Sequence, residues 1–217
     1  MKILILGSTG RLGNRIFNEA FERGHQLNVL VRDSSKIALN NNVTVFTGLP
    51  TDMQMLEKSM SNCDVLVSAL NISRTSDFPL APLRTPKDFL SHTAQNIIDL
   101  VPKSVIKRVI IVSAQGVNET RGDIPTWFRW SIDHTNIRYA YYEHERQENL
   151  IRSSNLVWTI VRPVGLTNQT ISKIINVSQG NIPKPSLTIS RSDVAKFVLD
   201  EAENARYIKR AVTISSN

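Results

Sequence analysis

A chain of 217 residues with 41% hydrophobic and 21% charged content has the size and make-up of a globular domain with a full core, which excludes a disordered or fibrous segment. Its formal charge of +7 comes from Lys and Arg interleaved with acids, without the basic and aromatic stripe of a nucleic-acid face, so nucleic acid is not the expected partner. The one cysteine, Cys63, excludes a disulfide framework and a thiolate metal cluster and fits a reducing cytoplasm; no metal site and no membrane span of about 20 apolar residues is read.

In chain order, MKILILG is too short for a signal peptide, lacks a cleavage site and reads as a buried strand over 2–6. Further strands are predicted at 27–32, 43–46, 64–70, 108–113, 157–162 and 211–214. Most are Val/Ile/Leu runs without polar alternation, as strands covered on both faces require. Helices are predicted between them at 11–23, 52–60, 88–101, about 132–153, and 192–204. This alternation predicts a single α/β domain over 1–217: a Rossmann-like, doubly wound parallel sheet with helices on both faces and a small C-terminal substrate-side region. Three excursions at 73–86, 118–130 and 167–187 follow the fourth, fifth and sixth strands, at the edge where such sheets bind ligands.

The clearest motif is GSTGRLG, residues 7–13, between the first strand and the first helix. Gly7 permits the tight turn, Gly10 lets the backbone approach a pyrophosphate, and Gly13 lets the helix pack close. The loop, with Ser8, Thr9, Arg11 and Leu12, offers amides, hydroxyls and a charge to an anion at a helix N-terminus. At the end of the second strand, LNVLVRDSSK places Arg32 where an acid would serve NAD(H). Arg32, helped by Ser34, Ser35 or Lys36, suits a 2′-phosphate, so NADP(H) is favoured over NAD(H); Asp33, serving a ribose, is the opposing reading.

With GSTGRLG, VRDSSK, VIIVSAQG and LVWTIVRP in this order, and SRSDVAKFVLD at 190–200, the chain resembles the atypical short-chain dehydrogenase/reductases. The nearest group is the NmrA-like NAD(P)H-binding proteins, which includes flavin and quinone reductases and cofactor-binding regulators. The resemblance implies cofactor contacts at Gly7, Gly10, Gly13 and Arg32, at Ser68, Ala69 and Leu70 ending the fourth strand, at Ser113 ending the fifth, and at Arg162, Pro163 and Val164 beside the nicotinamide. The family's Gly-Asp after strand three is here Gly48–Leu49, so adenine is expected against Leu49, with Asp52 read as a helix N-cap.

Short-chain dehydrogenases that reduce carbonyls use a Tyr and a Lys four residues apart on one helix. No lysine occurs from 108 to 172, and the two slots fall on Ala140 and His144. Helical spacing places Ile137, Tyr141, His144, Glu148 and Ile151 on one stripe. If that stripe faces the sheet, His144 and Glu148 can pair, His144 can touch the ribose or nicotinamide amide, and Ser113, Tyr141 and His144 are the catalytic candidates; if Tyr139, Tyr142 and Leu150 face inward instead, the acids lie in water. Trp127, Phe128 and Trp130 are candidates for stacking a planar acceptor. The function expected is hydride transfer from NADPH to a flavin or quinone, which needs no built-in proton donor; the alternative is a non-catalytic NADP(H) sensor.

Overall fold

The computed structural model describes residues 1–38, 40–169 and 173–216. Among the described residues, ten strands and six α-helices follow one another, mostly in alternation up to β6. The strands are β1 (Lys2–Leu6), β2 (Gln26–Val31), β3 (Val43–Thr47), β4 (Val65–Ser68), β5 (Arg108–Val112), β6 (Trp158–Pro163), β7 (Gly165–Thr167), β8 (Ile175–Ser178), β9 (Thr188–Ser190) and β10 (Arg210–Ser216). The helices are α1 (Arg11–Glu22), α2 (Met53–Ser59), α3 (Phe89–Leu100), α4 (Thr126–Asp133), α5 (Ile137–Ser153) and α6 (Arg191–Asn204).

Eight strands form one sheet in the order β3-β2-β1-β4-β5-β6-β10-β8. Its pairings are parallel except that β8 runs antiparallel to β10 at the edge. The chain reverses its direction of travel across the sheet between β1 and β4, the switch point at which doubly wound sheets open a crevice. The period-two geometry of β1 sends Ile3 and Ile5 to one face, with Ile16 and Ala20 of α1 and Val194 and Val198 of α6. Leu4 and Leu6 go to the other face, with Leu56 of α2, Ile97 of α3 and Ile151 of α5. Each fully buried Ile, Leu or Val among them contributes about 1.5–3 kcal/mol, and the strands are mostly apolar because both faces are covered.

The structure differs from the sequence expectation in two places. The helix expected over 132–153 is two helices, interrupted at residues 134–136. The reason is tertiary: the Asn136 amide donates to the carbonyls of Leu80 and Ala81 (2.9 and 3.1 Å), and its N–H donates to Pro79 (3.0 Å). The excursion at 73–86 is thereby tied to the start of α5. It is itself a flap, with Thr75 N–H donating to Pro82 O (2.9 Å) and Arg84 N–H to Ser73 O (2.8 Å). The excursion at 167–187, expected to be loop, contains β8 and leads into β9, which pairs with β7 in a small second sheet; residues 170–172 lie outside the described residues.

Candidate active site

The glycine loop is built by close approach. Gly7 has φ +86°, and a Cβ there would lie 2.8 Å from the Ala69 carbonyl oxygen. A Cβ on Gly13 would lie 2.0 Å from the Gly7 oxygen, which no side chain survives. Gly10 donates to Gly7 O at 2.9 Å and begins α1, whose first turn holds neither a side-chain cap nor an acid. The first-turn N–H groups and the positive end of the helix therefore face an anion's place with no competing carboxylate on α1.

Above this loop runs a cleft of about 540 Å3, a volume in the range of small-molecule and cofactor sites. It crosses the sheet from Arg32, Lys36, Gly48 and Leu49 at the β2/β3 side to Ser113, His144, Pro163 and Leu166 at the β5/β6 side. Between them lie Gly7, Thr9, Gly10, Arg11, Leu12, Ala69 and Leu70, with Ser73, Arg74, Ser76, Asp77, Arg84 and Thr85 of the flap. The flap thus borders the cleft.

Several expected residues lie elsewhere. Ser8 is buried beneath the loop, with its hydroxyl unpartnered, and Val164 belongs to the core packed against α6. Gly13 is buried at the α1–loop contact and shapes the cleft without lining it. Tyr141 does not line the cleft: its ring packs edge-on against Phe128 (6.2 Å) and lies beside Gly116, and burial pushes its hydroxyl up to about 12. Trp127 and Trp130 also miss the cleft. They project from α4, 72% and 63% exposed, and Trp130 stacks on His134 at 4.7 Å. The aromatic spacing of WFRW reads equally as a stacking platform or a surface helix, and only the position of α4 separates the two.

Asp33 is consumed locally. Its carboxylate accepts from Ser35 N–H (3.1 Å) and Ser35 Oγ–H (2.7 Å), capping the turn Ser34–Lys36, and it does not line the cleft. Asp52 caps α2, accepting from the N–H groups of Gln54 (3.0 Å) and Met55 (3.2 Å), as its place before an apolar run predicts.

The inner face of α5 is buried from Ala140 through Glu143, His144, Gln147 and Glu148 to Ile151. His144 and Glu148 do not form the expected pair. Arg162, 1% exposed in the middle of apolar β6, takes Glu148 instead, with Nε donating to Oε1 (2.9 Å) and Nη2 to Oε2 (2.5 Å). Arg162 also donates to both Glu119 oxygens (2.9 and 3.2 Å), and Asn118 completes the Glu148 shell at 2.8 Å. Burial alone would lower the Arg162 pKa; the two carboxylates outweigh it and keep the guanidinium charged. A charged group buried in a sheet needs carboxylates more than a neutral imidazole does. The signal was present in TIVRP, where an arginine interrupts a buried strand, but its partners are 14 and 43 residues away. Glu143, on the flank of the stripe, accepts from the N–H groups of Leu90 (3.1 Å) and Ser91 (2.9 Å) and so caps α3.

His144 is left without that partner. Burial holds its pKa down at about 4, against a smaller pull upward from Glu148, so it is neutral at physiological pH. Its Nδ1 and the Ser113 hydroxyl are both buried and unpartnered, and both residues line the cleft. Buried polar atoms left unpaired beside a cleft are the mark of groups that complete their hydrogen bonds with a ligand. With the glycine cradle and the cations at the β2 end, the residues fit a dinucleotide laid across the strand ends.

A doubly wound sheet with a glycine cradle at its switch point and a basic second-strand end defines a dinucleotide-binding Rossmann domain. Residues 7–205 match the family described as NAD(P)H-binding, and the chain belongs to that family. It is 24% identical to the uncharacterized protein YwnB of Bacillus subtilis, over 100% of this chain and 99% of that one. It is 22% identical to the probable pinoresinol-lariciresinol reductase 3 of Arabidopsis thaliana, over 99% of this chain and 67% of that one. Among solved structures, a short-chain dehydrogenase/reductase of Veillonella parvula in complex with NADP superposes with a TM-score of 0.79 at 20% identity, covering 99% of this chain and 94% of that one. ChuY, an anaerobillin reductase from Escherichia coli, superposes with a TM-score of 0.80 at 18% identity, covering 100% and 97%. These structures share the fold. Among the described residues, no group of three or more His, Cys, Asp or Glu is placed to hold a metal, and no helix is long and apolar enough to cross a membrane.

Proposed function

We propose that the protein is an NADPH-preferring reductase that passes hydride to a small planar acceptor, a flavin or a quinone. The observation that carries this reading is the make-up of the cleft at the β5/β6 end. It offers Val112, Ser113, His144, Pro163 and Leu166, with no tyrosine beside a lysine. A neutral, buried imidazole and a serine hydroxyl can orient a carboxamide or ribose by hydrogen bonds, but they form no tuned acid for an alkoxide. Flavins and quinones stabilise the added electron pair in their own rings, so positioning suffices. Ser113 and His144 would hold a reduced nicotinamide at this end of the cleft, where it would supply the hydride and be oxidised, while the acceptor's proton would come from solvent. The names borne by the reductase relatives agree with this class of chemistry.

The preference for NADPH rests on Arg32 first and Lys36 second; both line the β2 end, while Asp33 caps its own turn and lies 4.0 Å from the Lys36 ammonium. Two charged donors there suit a phosphate, which offers several acceptor oxygens and about two negative charges. A reducing cytoplasm is the compartment we assign.

The test is a titration of NADPH and NADH by fluorescence, followed by oxidation with flavins and quinones. NADPH binding at least about tenfold tighter than NADH, with loss of that preference in Arg32→Ser, is the expected result. Equal affinities would remove Arg32 from this role. A second reading, a cofactor sensor that presents a surface to a partner, draws on the exposed Trp127 and Trp130 of α4. Tight NADPH binding with no acceptor-dependent oxidation would select it.

A further inference from the structure

Six cationic side chains line the cleft, namely Arg11, Arg32, Lys36, Arg74, Arg84 and Arg191, against one acid, Asp77. The dinucleotide accounts for only some of them. Arg32 and Lys36 stand at the β2 end, and Arg11 stands at the α1 N-terminus beside the loop amides. Arg191 opens α6 directly after Ser190, which pairs with Thr167 of β7; it lines the cleft with Pro163 and Leu166 on the β6/β7 side and lies within the field of Arg11. Arg74 comes from the flap after β4. Neither Arg74 nor Arg191 forms a salt bridge among the described residues; Arg191 donates only to the Asn168 side chain, at 2.7 Å. The Arg74 Nε is buried without a partner.

Asp77 shows where these charges meet. Its carboxylate accepts both hydrogen bonds of Arg11 and is held below the ordinary aspartate range, first by Arg11 and further by the fields of Arg74 and Arg191. One carboxylate thus feels three guanidinium groups from three different elements. Arg191 in turn is depressed by burial and by Arg11 and Arg15, with Asp77 opposing. Like charges gathered in a cleft repel one another, and an anion entering the cleft relieves that repulsion.

We propose that Arg74 and Arg191 form an anion subsite at the nicotinamide end, so that the acceptor is an acidic planar molecule, one bearing a phosphate or carboxylate, rather than a neutral ring. The assignment rests on the planar-acceptor reading above and narrows it. Planar guanidinium forks recognise phosphate and carboxylate in two-point contacts that a neutral acceptor cannot offer.

The test uses the full chain saturated with NADP+, titrated with flavin mononucleotide or with riboflavin, which differ by one phosphate. Binding is read by quenching of flavin fluorescence. The mononucleotide is expected to bind about tenfold tighter than riboflavin or better, and the preference should shrink to near unity in Arg74→Gln/Arg191→Gln. The affinity of the same variant for NADP+ should change by less than about threefold, and its thermal midpoint shows whether it is folded. Equal binding of the two flavins, or no binding of either, overturns the subsite. So does a variant that loses NADP+ as severely as it loses the mononucleotide, since the arginines would then serve the cofactor. A preserved phosphate preference with no NADPH oxidation by any flavin or quinone would instead sink the reductase reading and leave the subsite standing.

Discussion

Arg11 and Asp77 face each other across the mouth of the cleft, the guanidinium donating to both carboxylate oxygens at 2.9 and 2.7 Å. The pair joins the glycine loop to the flap through two side chains that are 65% and 79% exposed. Ion pairs so exposed add little to stability. Asp77→Asn is therefore expected to leave the unfolding midpoint nearly unchanged while strengthening NADPH binding about threefold, because a carboxylate no longer competes for Arg11. Titrating NADPH at low and high salt checks it; weaker binding in the variant would show that Asp77 assists the cofactor.

Arg162 and Glu148 form the opposite kind of pair, both shut away from solvent. Removing one member leaves the other charged and buried, at a cost of about 3–5 kcal/mol. Glu148→Ala should lose that much in urea unfolding, whereas Glu148→Gln, which keeps some of the hydrogen bonds, should lose less. Loss of under about 1 kcal/mol in Glu148→Ala would mean that Glu119 alone satisfies Arg162.

His144 makes stability depend on pH between about 4 and its ordinary value of 6.5. In that window the unfolded chain binds a proton that the folded chain refuses. Stability is full above 6.5 and falls as pH drops toward 4, by roughly 3 kcal/mol. His144→Gln should flatten this segment. Below it, Glu119 acts through a depressed carboxyl: partial burial would raise it, but hydrogen bonds from Arg162 and Arg152 bring it down to about 2. Its contribution is present above the ordinary carboxylate value and is lost as pH falls from there toward 2. Denaturant midpoints measured from pH 3 to 8 would separate the two; an unchanged slope in His144→Gln removes the imidazole from the account.

At the glycine loop, Gly13→Ala forces a methyl to within 2.0 Å of a backbone oxygen, so the loop must move. The expected result is loss of NADPH binding by at least about 100-fold, together with destabilisation of about 1–3 kcal/mol from overpacking. Gly24→Ala is a useful control, because a Cβ there meets no atom within 4 Å although its φ of +77° strains the turn. It should cost about 1 kcal/mol and leave the cofactor affinity intact.

Much of the frame was legible in the residues. The apolar runs of β1, β2, β5 and β6 and the glycine loop identify their elements locally, through periodicity and turn chemistry. The break between α4 and α5 was not legible, because Asn136 is drawn out of the helix by carbonyls of residues 79–81, far away in sequence. The strands β7, β8 and β9 are too short for period-two alternation to register. At the site, Arg32 and Ser113 could be placed because each ends a strand. The destination of Glu148 could not, since helical spacing offered His144 as its neighbour while the stronger partner lay on β6.

In the register expected from the sequence, the tyrosine slot of carbonyl-reducing short-chain dehydrogenases falls on Ala140, which is packed against Ile72, Phe89 and Leu90. Two carboxylates on the same helix fix its register: Glu148 is tied to the sheet, and Glu143 is tied to the first turn of α3. The helix can therefore neither rotate nor slide to make room for a phenol ring. A lysine at position 144 would meet a carboxylate already spent on Arg162. Converting this scaffold into a carbonyl reductase is thus not a matter of two point changes on α5; it would begin by hollowing out the neighbouring wall of Ile72 and Phe89.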